Sequence, residues 1–279
     1  MKKLCALALC LALCVGLLPS AAWAAGPEVK AKAVLLMEKS TEILYEEHGE
    51  EPLELASVTK VMTMLLIMEA LEDGTLTPDT MVAVSANAAG MGGSQVYMKE
   101  GETFSVHDML KAIAVASGND ACVAMAEHLA GSEAAFVERM NEKAAQLGMG
   151  DSHFANPHGY HDEGHYTTAY DLALLARAGM SDPDFCRIVT CLSYTLPPTS
   201  KRDALTLRNE YEIFDPASEL YLPYAAGIKS GYTSRAGFCY VGAAQQDGRS
   251  LIAVVLGAPS RNRAWKDLQK LFEYGFSQP

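Results

Sequence analysis

The chain has 279 residues, 49% of them hydrophobic and 20% charged, with 22 Gly and 12 Pro. That balance supports a buried core and excludes a disordered, collagenous or disulfide-stapled miniature protein, and the length allows one large domain or two lobes at roughly 150 residues each. Lys and Arg total 22 against 34 Asp and Glu, a net charge of −12, which argues against nucleic acid because phosphate binding needs clustered cations to displace counterions.

The N-terminus reads as a secretory signal peptide over 1–24. Lys2 and Lys3 precede an apolar run from Leu4 to Leu18, then Pro19 and the small-x-small triplet Ala22-Trp23-Ala24. The run is shorter than the ~18 residues a membrane span needs. Cleavage removes two lysines, taking the exported chain to −14, and three of the seven cysteines. Cys122, Cys186, Cys191 and Cys239 remain. Four cysteines permit three pairings, and the Cys186-x4-Cys191 spacing fits neither a redox pair nor a metal ligand set, so buried or isolated thiols are expected.

Ala31 to Met37, a polar turn over Glu38 to Thr41, and alternating residues to Glu46 predict an antiparallel hairpin. Helical periodicity follows over Ser57–Leu71, Val106–Ser117, Ala121–Leu129, Ala134–Leu147 and Thr168–Ala178. A second hairpin is predicted from Gly237–Ala244 and Ser250–Gly257 around a turn at 245–249. A closing helix over Arg263–Tyr274 carries Trp265, Leu268, Leu271 and Phe272 on one face. The economical architecture is an α/β domain over 25–279. The two chain ends build an antiparallel sheet flanked by helices, an all-α lobe is inserted at roughly 65–220, and a cleft lies at the junction.

Three short motifs carry chemistry. Ser57-Val58-Thr59-Lys60 opens a helix, and because i and i+3 share a face the hydroxyl and the amine can meet near the positive helix end. Alone it is weak, since about one such pair arises by chance in a chain of this length, and Ser57 as an N-cap with Lys60 in solvent is the bland alternative. Ser117-Gly118-Asn119 by itself is a helix-ending turn. Lys229-Ser230-Gly231, followed by Tyr232, would suit an edge strand receiving an anionic peptide end, or be an ordinary strand end.

Together the order S-x-x-K, S-x-N, K-[ST]-G is the pattern of penicillin-binding proteins and serine β-lactamases. The surrounding residues sharpen it. Ala56–Thr63, Ala116–Ala121, Asn156-Pro157-His158-Gly159, Tyr166–Ala173 and Gly227–Thr233 resemble the low-molecular-weight D-alanyl-D-alanine carboxypeptidases, the S11 serine peptidases, over Lys30 to Phe276. Two features depart from the family pattern. Many members continue into a β-rich domain and a membrane-lying helix, which are not expected here because the sequence ends at Pro279, and Ser230 stands where Thr is commoner, keeping the hydroxyl.

The resemblance implies a β-lactamase/transpeptidase-like fold and removal of the terminal D-alanine from peptidoglycan stem peptides. Ser57 would be the nucleophile and Lys60 its base, made neutral by burial and by nearby Lys229. Ser117 would relay the proton and Asn119 orient Lys60 and substrate. The Ser57 and Tyr232 N–H groups would hold the oxyanion beside Gly231, and Lys229 with Ser230 the substrate carboxylate. Arg263 is the expected helper, with Arg261 competing. β-Lactams are the implied covalent inhibitors, no cofactor is required, and an exported monomer is expected. His158, His161 and His165, near Asp162 and Glu163, look like a metal cluster but sit in a Gly-bounded loop without regular ligand spacing, so a structural role is expected. His107 and His128 fall on helices as surface or core residues. The rivals are a class A-like β-lactamase, with Glu163 as the deacylating carboxylate, and a non-catalytic wall-binding homologue.

Overall fold

The computed structural model describes residues 26–278; the leader expected at 1–24 lies outside them. The described chain opens with the hairpin β1 (Ala33–Glu38) and β2 (Ile43–Glu47), then passes a 3₁₀ turn (Ala56–Thr59) into α1 (Lys60–Glu72). There follow β3 (Met81–Ala83), α2 (Ala86–Ala89), β4 (Thr103–Ser105), α3 (Val106–Ala116), α4 (Asn119–Ala130), α5 (Glu133–Leu147), α6 (Ala169–Gly179) and α7 (Pro183–Val189). Next come the hairpin β5 (Ser193–Leu196) and β6 (Leu205–Arg208), then β7 (Ala225–Thr233), β8 (Gly237–Gln246), β9 (Arg249–Ala258) and α8 (Arg261–Ser277).

The main sheet is antiparallel in the order β2-β1-β9-β8-β7, so strands from the two ends of the described chain meet at the β1–β9 pair and β7 is an edge. Side chains alternate between its faces, as the pleat requires. Leu35 and Met37 of β1 and Ile252, Val254 and Leu256 of β9 join the core shared with the helical insertion. Val34, Leu36, Leu251, Ala253 and Val255 face Trp265, Leu268, Leu271 and Phe272 of α8. Because both faces are covered, β1 and β9 read as unbroken apolar runs rather than alternating ones. The β8–β9 turn contains only Asp247 and Gly248, both at positive φ (51° and 80°), with Gln246 opposite Arg249. It is tighter than the expected five residues because a two-residue turn with left-handed backbone matches the sheet's twist.

Between β2 and β7 the chain leaves the sheet. At its centre α1 buries Val61, Met62, Met64 and Ile67 on all sides, as a helix enclosed by others must. Side-chain caps fix the helix starts: Ser105 and Asp108 form a capping box on α3, and Ser132, Thr168, Asp182 and Ser260 cap α5, α6, α7 and α8. The sequence expectations omit β3, α2, β4, α7, β5 and β6, which span three to seven residues each and are too short for a periodic signal. Cys122, Cys186, Cys191 and Cys239 are all free thiols, the first and last buried.

Candidate active site

Three segments distant in sequence converge beside β7. Ser57, Ser117, Lys229, Ser230, Gly231 and Tyr232 line one groove of about 450 Å³. Gly231 allows the approach, since a Cβ there would stand 2.6 Å from the Ser57 nitrogen. The backbone is strained where the segments meet. Six non-glycine residues among those described have positive φ, and three of them, Ala56, Tyr97 and Ser117, adjoin or line the groove. Each costs of order 1–3 kcal/mol and persists only where surrounding contacts impose it.

Ser57 lies in the 3₁₀ turn and makes no side-chain cap, and Lys60 is fully buried rather than solvated. The Lys60 Nζ is 2.9 Å from Ser57 Oγ, 2.8 Å from Asn119 Oδ1 and 2.7 Å from the His158 carbonyl oxygen. The Asn119 amide is oriented by its Nδ2 donating to the Gly92 carbonyl (2.8 Å), which presents Oδ1 to the lysine. Both of these oxygens can only accept, so they occupy two amine hydrogens, and the third tetrahedral position faces Ser57. A charged amine would donate there; a neutral one offers its lone pair and can take the hydroxyl proton. Ser117, in left-handed conformation at the end of α3 (φ 57°), has a buried Oγ without a hydrogen-bond partner.

Burial pushes the Lys60 amine down to about 8. Lys229, 5% exposed and bonded only to the Ser230 carbonyl (2.9 Å) among described residues, falls to about 7 through burial and then through the charge of Lys60. Two ammonium groups in one dry groove repel, so the pair shares its protons poorly.

The model of the S11 peptidases, described as D-alanyl-D-alanine carboxypeptidase, matches residues 20–260. The chain belongs to the D-alanyl-D-alanine carboxypeptidase family. It is 41% identical over 251 residues to the D-alanyl-D-alanine carboxypeptidase DacF of Bacillus subtilis, covering 89% of this chain and 63% of that protein. Against DacD of Escherichia coli it is 35% identical, covering 89% and 64%, so this chain spans under two thirds of these curated relatives. The DacD structure from Francisella tularensis superposes with TM-score 0.83 at 29% identity, covering 91% of this chain and 72% of that one. Penicillin-binding protein D2 of Listeria monocytogenes, solved in its ampicillin-bound form, gives 0.77 at 27% identity, covering 89% and 98%. The fold is thus that of the β-lactamase/transpeptidase group.

Several expectations for this S11 chain are corrected by its geometry. The groove's C-terminal arginine is Arg261, paired with Glu210 at 3.2 Å, whereas Arg263 is not among the lining residues. Two residues apart on a helix is about 200° of rotation, so the two arginines point to opposite sides. Lys229 is perturbed together with Lys60: burial lowers both amines, and the charge of Lys60 lowers Lys229 as well. Glu163 is exposed and does not line the groove. The loop histidines are engaged separately: His158 Nε2 with Glu133 (3.5 Å), His161 Nδ1 with Glu54 (3.0 Å) and His165 Nε2 with Thr59 (2.7 Å). Sequence reasoning missed Arg208, Asn209, Glu210 and Tyr97, which reach the groove from β6 and from the loop before β4. They carry no motif, and only the fold brings them there. The lining holds three cations, Arg208, Lys229 and Arg261, against Glu210 alone, a local positive surface on a chain of −12.

Proposed function

We propose that this chain is a serine-type D-alanyl-D-alanine carboxypeptidase that cleaves the terminal D-alanine from peptidoglycan stem peptides. The observation carrying the reading is the 2.9 Å contact between Ser57 Oγ and the buried Lys60 amine in a cationic groove. The neutral amine takes the Ser57 proton as Oγ attacks the carbonyl between the two D-alanines. The peptide bond then breaks, Ser117 passes a proton to the departing amine, and the ester on Ser57 is hydrolysed by water. Splitting acyl transfer in this way replaces one high barrier with two lower ones. The Ser57 and Tyr232 N–H groups hold the oxyanion, each such donor being worth about 2.7–4 kcal/mol.

Lys229 and Ser230 receive the terminal carboxylate, with Arg261 and Arg208 adding positive potential. That carboxylate restores the charge on Lys229, and the restored charge disfavours a proton on Lys60. Binding of a peptide end thereby readies the base, which accounts for cleavage at an end. β-Lactams acylate the same hydroxyl. The leader-like N-terminus supports export to the cell-wall space, with action as a monomer; no helix among the described residues is long and apolar enough to cross a membrane.

D-Alanine release from a synthetic peptide ending in D-Ala-D-Ala, measured with and without penicillin, tests the reading. Wild type should release D-alanine and lose that activity on stable acylation, and Ser57→Ala should do neither. Rapid penicillin turnover would favour a β-lactamase, and release by Ser57→Ala would remove the nucleophile.

A further inference from the structure

We propose that His165 is a positioning residue for the nucleophile turn: through Thr59 it fixes the Ala56–Ser57 peptide and so the direction of the Ser57 N–H. The inference rests on the reading of Ser57 above. The bonding directions are determined by elimination. The Ala155 N–H can only donate, and it lies 2.9 Å from His165 Nδ1. Nδ1 is therefore the accepting nitrogen, and the neutral ring carries its hydrogen on Nε2. Burial, which pulls His165 down to about 4, keeps the ring neutral. Nε2–H then donates to Thr59 Oγ1 (2.7 Å), which leaves the Thr59 hydroxyl hydrogen for the Ala56 carbonyl, also 2.7 Å away.

That carbonyl matters because C=O and the following N–H point in opposite directions within one rigid peptide plane. Holding the Ala56 oxygen aims the Ser57 N–H. The peptide needs holding, because Ala56 has φ 49°, a left-handed conformation that an alanine leaves readily. Gly159 runs close by the same oxygen, where a Cβ would come within 1.9 Å, so only a glycine leaves room for the carbonyl there. A threonine bonding back three residues is ordinary in helices. Here a buried imidazole 106 residues away commits its proton to that bond. The loop bearing His165 is also tied to the approach of the turn by reciprocal backbone bonds between Leu53 and Thr167 (2.8 and 3.0 Å).

The test compares His165→Leu, His165→Gln, Thr59→Val and the His165→Leu/Thr59→Val double variant by kcat and KM for D-alanine release and by the rate of labelling with a fluorescent penicillin. Thermal unfolding reports folding. A misaimed oxyanion donor should lower kcat and the labelling rate about 10–100-fold with KM little changed. His165→Gln, whose amide N–H can reach Thr59, should recover most of the rate, and the double variant should be no worse than the poorer single. If His165→Leu fails to fold, the near-isosteric Thr59→Val carries the test. Wild-type rates in folded His165→Leu or Thr59→Val, equal losses in His165→Leu and His165→Gln, or multiplicative losses in the double variant would each overturn the proposal. Labelling that depends on Ser57 but ignores His165 defeats this inference alone, whereas absence of any labelling defeats the reading of Ser57 with it.

Discussion

Helix α1 separates two concave regions. At its N-terminal end lies the groove of about 450 Å³, and beside its length a cavity of about 860 Å³ is walled by Leu65, Met68, Leu110 and Ile188. The larger cavity is lined by charges too; of these Asp184 bonds Arg187, and Glu69 turns to Lys143 outside the lining at 2.9 Å. At the groove Lys60 and Lys229 are buried, Ser117 Oγ is buried without a partner, and Lys60 lies against the Ser57 hydroxyl. Chemistry follows that convergence rather than volume.

The largest separation between the two regions should come from Lys60→Met. Loss of a general base typically costs about 10²–10⁴-fold, so acylation should fall by about a thousandfold while the fold survives. In wild type, acylation should climb with pH up to about 8, where Lys60 loses its proton, and then flatten. A profile that is flat from pH 6 to 9 would contradict the assignment.

Lys229→Met is the next sharpest. Removing the cation facing the substrate carboxylate should raise KM about 10–100-fold, yet the variant should melt higher at neutral pH. The sign follows from linkage. Lys229 is held at about 7 when folded and returns to 10.5 when unfolded, so between those values the unfolded chain binds more protons and stability rises with pH. The penalty is complete below about 7 and gone above 10.5, so the melting advantage of the variant should shrink toward pH 10. An advantage independent of pH would mean that packing, not charge, causes it.

The smallest effect on chemistry should come from Leu110→Ala in the large cavity. The side chain is 2% exposed, and its truncation should cost about 2–3 kcal/mol of stability while leaving penicillin labelling at the wild-type rate. A comparable loss of labelling would show that the two sides of α1 are not independent.

Much of this was legible in the residues. Apolar runs at both ends implied a sheet built from both, and 3.6-residue periodicity marked the six longer helices. The spacing of Ser57 and Lys60 put them on one face, and chain order tied them to Ser117, Asn119 and Lys229. Local periodicity and i,i+3 geometry depend on neighbours in sequence, so they survive without coordinates. Tertiary packing decided the rest. Arg261 rather than Arg263 reaches the groove because the rotation of α8 is set by Trp265 and Leu268 docking on the sheet. Lys229 is perturbed along with Lys60 because both amines are buried and each stands near other charges through space. Its three acceptors, among them the His158 carbonyl 98 residues away, are given to Lys60 only by folding, since burial and through-space charge have no expression along a sequence.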